Sequence, residues 1–210
     1  MIMTVSVRKL ALTTHVTVSV GWVGAVAGFL ALAIAGVASQ DGQLVRSAYL
    51  AMHLITWFVI VPFSLASLLT GLVQALGTPW GLFRHYWIVV KLGLTVIATI
   101  ILLAHTQPIG QVAALASQTV LVSADLRDLR IQLIADAGAA LVALLVATTL
   151  SVYKPWGPTP IGARYESRAR KVNAVFTGTS SWTWFWLAGV IVALATFLYV
   201  HLAGGGFQGH

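Results

Sequence analysis

From Leu10 to Ala38 the chain runs without a single Lys, Arg, Asp or Glu. A helix rising 1.5 Å per residue needs about 20 residues to cross a hydrocarbon core of about 30 Å. A charge-free run longer than that satisfies its backbone only as a membrane helix, because lipid offers no hydrogen bonds to an open strand edge. A cleaved signal sequence is the competing reading, but its apolar stretch is usually about 7 to 15 residues, so this run is expected to be retained as a span. The same character extends through the chain. Of 210 residues 59% are hydrophobic and 8% charged, with mean hydropathy +0.91. Soluble domains carry roughly 25% charged residues.

Interruptions in the apolar runs set the boundaries. Ser39-Gln40-Asp41-Gly42, Gly77-Thr78-Pro79-Trp80, Gln107-Pro108 and Tyr153-Lys154-Pro155-Trp156-Gly157-Pro158 combine polar residues with helix breakers. They divide the chain into spans over about 10–38, 47–76, 82–107, 129–152 and 182–203. Pro62 predicts a kink within the second span. Residues 109–124 carry Gln111, Ser117, Gln118 and Thr119, too polar for a span, and are expected as a surface or re-entrant helix. Ser123 is placed to cap the fourth span. Residues 153–181 are expected as a cytoplasmic basic loop. The fold class is therefore all-α: one integral membrane bundle of five transmembrane helices.

Sidedness follows from Lys and Arg, which are retained in cytoplasmic loops. With the N-terminus inside, Arg8, Lys9, Arg84, Lys91, Lys154, Arg164, Arg168, Arg170 and Lys171 fall on the inner side, against Arg46, Arg127 and Arg130 outside. Asp41, Asp125, Asp128 and Asp136 also fall outside. The N-terminus is thus expected in the cytoplasm and the C-terminus outside, in the cytoplasmic membrane of a bacterium. Trp and Tyr residues near the inner ends of the runs read as an interfacial belt. The net charge of +7 is spent on this asymmetry, so nucleic acid is not expected as a partner. With no cysteine, disulfides, thiolate metal sites, iron–sulfur clusters and covalently attached haem are excluded.

Ionisable side chains within spans are expensive and mark candidate sites. His53, His105, His201 and Asp136 come from four helices at similar depth towards the outer face, His53 roughly 10 Å along its helix. His15 and His85 form a smaller inner set. Neutral imidazoles from facing helices are what haem b requires, and Arg46, Arg127 and Arg130 outside, or Arg84 beside His85, suit its propionates. His53, His105, His201 and Asp136 also form a donor set for copper or another divalent ion. Each has a structural alternative: a histidine at a helix end caps a carbonyl, and Lys91 snorkels to the interface. Gly21, Gly24 and Gly28 read as a close-packing stripe.

The stretch His15-Val-Thr-Val-Ser-Val-Gly-Trp22-Val-Gly24 resembles the first helix of the CopD-type copper-resistance membrane proteins. Together with Arg84-His85-Tyr86-Trp87, Val90-Lys91-Leu92 and His105, it also resembles an actinobacterial family of membrane proteins of unknown function. The resemblance covers the first four spans. It implies a small histidine-bearing bundle, with copper handling as the CopD-type activity and haem binding with electron transfer in the wider set of such bundles. Met1, Met3 and Met52 are the only methionines, and they make no thioether ladder for Cu(I).

The leading expectation is a haem-b-binding membrane protein in electron transfer or redox sensing, with enzymatic activity left open and a component of a membrane oxidoreductase as the form it would take. Quinone or a redox protein would be its partner beside lipid, and a homo-oligomer its assembly. The alternatives are a metal-handling protein and a non-catalytic scaffold. No nucleophile–base order, phosphate loop or paired carboxylates accompany these histidines, and Glu166 is the only glutamate.

Overall fold

The computed structural model describes residues 3–78, 81–117 and 125–170, and these are helical almost throughout. Four helices are long and apolar enough to cross a membrane: Val5–Ala38, Gly42–Gly77, Tyr86–Ala114 and Arg127–Tyr153. The protein is a multi-pass membrane bundle. The expected fifth span, 182–203, lies outside the described residues.

The first span, α1 (Val5–Ala38), starts at Thr4, whose hydroxyl accepts from Val7 N, and ends before Ser39. It is apolar on every side, as a helix between protein and lipid must be. Trp22, Ala25, Val26, Phe29 and Ala33, spaced by three and four, are buried, while Leu12, Val16 and Val20 are exposed. Asp41 caps the second span, its carboxylate accepting from Gln43 N at 2.9 Å. That span is α2 (Gly42–Ile55), a π-helical turn (Thr56–Ile60) and α3 (Val61–Gly77). The π turn immediately precedes Pro62, whose ring would press on the carbonyl one turn back, and within it Val61 N donates to Thr56 O. At the position where the sequence predicts a kink, the structure has this widened turn.

The third span, α4 (Tyr86–Ser117), and the fourth, α5 (Asp125–Tyr153), complete the bundle. The α1 helix packs against the second span and against α5, and α4 packs against the same two elements, closing a four-membered ring. The main core lies where these helices meet, around Trp22, Phe29, Tyr49, Met52, Val112 and Leu133.

Two expectations are corrected. α4 does not stop at Gln107-Pro108 but continues to Ser117, so residues 109–117 extend the third span instead of forming a separate surface helix. Ile109, Val112 and Ala113 are buried at helical spacing, and this packing outweighs the hydrogen bond lost at Pro108. The basic segment after the fourth span is not all loop, since α6 (Pro160–Arg170) is helical. Thr159 caps it, its hydroxyl accepting from Gly162 N at 3.2 Å while donating to Phe83 O at 2.6 Å, and Pro160 occupies the first helical position, where its missing N–H is harmless.

The glycine stripe is only partly a packing device. A Cβ at Gly21 would strike the Phe63 ring, whereas one at Gly24 would meet nothing within 4 Å. The aromatic belt likewise has an exception in Trp156, which is buried against Leu94, Ala147 and Leu150.

Candidate functional site

At the end of the bundle where the chain enters, α1, α3, α4 and α5 surround a cavity of about 630 Å³. Met3 N donates to Gly77 O at 3.2 Å, tying the start of α1 to the end of α3. The Gln74 amide reaches across the same pair of helices to Ala11 O at 2.9 Å. His15, buried on α1, projects into this frame. A Cβ on Gly71 would lie 3.3 Å from His15 Cε1, so the glycine gives the ring its room against α3.

The hydrogen bonds around His15 fix its tautomer. Thr70 Oγ1 lies 2.6 Å from Ala66 O, to which its single proton is donated, and 2.9 Å from His15 Nδ1. The hydroxyl oxygen therefore accepts from Nδ1–H, which leaves the lone pair on Nε2. Lys91 Nζ of α4 is 3.2 Å from Nε2 and donates to it. One turn further along, Ser19 and Ser67 hydroxyls meet at 2.8 Å. Arg8 and Lys154 also line the cavity, and Trp22, Leu144 and Thr95 line it beside the apolar core. Among the described residues no carboxylate lines it.

The expected inner pair is therefore not the one assembled. His15 meets Lys91, while His85 lies in the connection before α4, bridged through its backbone to Pro158, with its ring 6.5 Å from that of Trp87. Arg84 stacks on Tyr165 of α6 at 3.6 Å, and Thr159 N donates to Arg84 O at 2.8 Å. Lys91 does not snorkel outwards; it points to His15. Lys91 and Thr70 sit six and eight residues from the connection between α3 and α4, each about 10 Å along its helix, and that shared depth is the signal in the sequence that joins them.

At the opposite end the structure brings His105 and Asp136 together, Nε2 to Oδ2 at 3.0 Å. Nδ1 of the same ring lies 2.8 Å from Ile101 O and donates to it. A proton must also lie between Nε2 and the carboxylate, so neither nitrogen offers a lone pair to iron or another metal in this arrangement. Arg130 donates from Nε to Tyr49 Oη at 2.6 Å and from Nη2 to Gly36 O, pinning α5 to α1 and α2. It is a structural clamp here, whereas Arg46 and Arg127 are exposed. His53 is half-buried on α2, and no three of the described His, Asp and Glu residues gather closely enough to hold a metal ion. His201 lies outside the described residues. No family model matches the chain, and neither a curated protein nor a solved structure was found to be similar to it.

Proposed function

We propose that this membrane bundle binds a small, largely apolar molecule bearing hydrogen-bond acceptors, in the cavity around His15 and Lys91. The observation that carries the reading is the Lys91–His15 contact within a space of about 630 Å³, inside the usual range of about 300–1,000 Å³ for ligand pockets. An ammonium group has three donors and His15 takes one, leaving two for a ligand. Trp22 and Leu144 supply apolar wall, and Gly71 and Thr70 hold the histidine in place. Binding is tested by native mass spectrometry of the detergent-purified protein. A bound molecule that is lost in Ala147→Phe, which fills the wall, is the expected result; equal occupancy in that variant would refute the site.

Haem b and electron transfer form the second reading, favoured by one observation. Donation from His15 Nδ1–H to Thr70 is the outer bond that orients a ligating imidazole. Arg8 and Lys154 are suitable partners for propionates, and Lys91 would have to leave Nε2. An absorption spectrum of the purified protein, oxidised and reduced, separates the readings. A Soret band that shifts on reduction and disappears in His15→Ala is the haem result; a colourless protein after reconstitution with haem leaves the organic ligand.

A further inference from the structure

Resting on that binding reading, we infer that the ligand is an anionic amphiphile of the long-chain carboxylate class, its head group held by Lys91 and its chain lying along the apolar wall. Lys91 stands within a span, and its nearest described partner is an imidazole that is neutral by the Thr70 argument. A charged ammonium in such a place is poorly compensated by a neutral acceptor and calls for an anion. Among the described residues no carboxylate lines the cavity to provide one: Asp136 is joined to His105 at the other end, and Asp41 caps α2 there.

The remaining lining points the same way. Arg8, Lys91 and Lys154 give the cavity three basic side chains, while most of its other walls are Leu, Val, Ala and Trp. Arg8 lies fourteen residues before Trp22 on α1, about 21 Å of helix, so the cavity is long in the direction of the bundle axis. Leu12, Val16 and Val20 line it and are also exposed on the lipid side of α1. An elongated apolar space with basic groups at one end and along its side selects a chain with a negative head. A neutral quinone or alcohol would fill the same space and leave Lys91 without a counter-charge.

The test is equilibrium binding of radiolabelled palmitate to the full chain in detergent, with unlabelled palmitate and hexadecanol as competitors of equal chain length. Saturable binding near one per chain, with the acid competing at least tenfold better than the alcohol, is expected. Lys91→Met should abolish that preference and Lys91→Arg should retain it. Equal competition by acid and alcohol in the unsubstituted protein would overturn the carboxylate assignment while leaving the apolar site standing, and this comparison needs no variant to fold. Persistence of the tenfold preference in Lys91→Met would overturn Lys91 as the head-group residue. Absence of saturable binding by either competitor would instead count against the ligand site itself.

Discussion

Thr70 decides the protonation pattern of His15 because its hydroxyl has one hydrogen, already given to Ala66 O. Replacing it with valine leaves Nδ1–H facing a methyl group, and a buried donor without a partner costs about 1–3 kcal/mol. Thr70→Val should therefore lower the thermal unfolding midpoint in detergent, and Thr70→Ser should restore most of it; an unchanged midpoint in the valine variant would contradict the tautomer. At this scale the sequence was informative about depth and silent about direction. The cost of burying an idle imidazole singled out His15, and counting residues placed it near the inner face, but counting cannot say which way round the helix a side chain points. His85 was therefore the expected partner at that face, while the bundle turned Lys91 to it instead. The outer pair shows the same limit: His105 and Asp136 were grouped by depth and do meet, whereas His53, at similar depth, enters no cluster of three among the described residues.

Element boundaries were legible at most of the places where breakers and polar residues coincide. Asp41 and the Lys154–Pro158 segment mark real helix ends. Gln107-Pro108 is the exception: the hydrogen bond missing at the proline is one deficit, and the buried run Ile109, Val112 and Ala113 behind it outweighs that deficit. The start of α6 was readable as Thr159-Pro160, a capping residue followed by a proline at the first position, but the high charge of the following residues drew it into a loop. Thr159 both caps α6 and holds the connection before α4 through Phe83 O. Thr159→Ala should cost about 1–2 kcal/mol at the helix start. Hydrogen exchange over 160–170 should accelerate by roughly tenfold while α1 stays protected. Unchanged exchange there would show that α6 is held by other contacts.

For the whole molecule, apolar run length dictated the class, and the ring of four spans follows from short connections between antiparallel neighbours. What the runs could not supply is the order around the ring and hence the cavity, which depends on α5 closing back on α1. The expected sidedness rests on the sequence alone, in which nine of the twelve basic residues are assigned to the side of the N-terminus. Because the chain has no cysteine, single introduced thiols report it directly. Gln40→Cys should react with an impermeant maleimide on intact cells, and Ser167→Cys only after permeabilisation; the reverse pattern would invert the bundle.

The π turn at Thr56–Ile60 also sets a phase relation along the second span. One residue of an α-helix corresponds to about 100° of rotation, and a π turn takes up an extra residue by advancing less per residue, so the residue pattern shifts by one position across it while the faces stay in phase. Tyr49 and Met52 are turned to the main core on one side of it, and Ser67 and Gly71 to the cavity on the other. A single-residue deletion at Phe58 that restores the α ladder should therefore leave the core face and the cavity face where they are, and withdraw only the room that the turn gives the Pro62 ring.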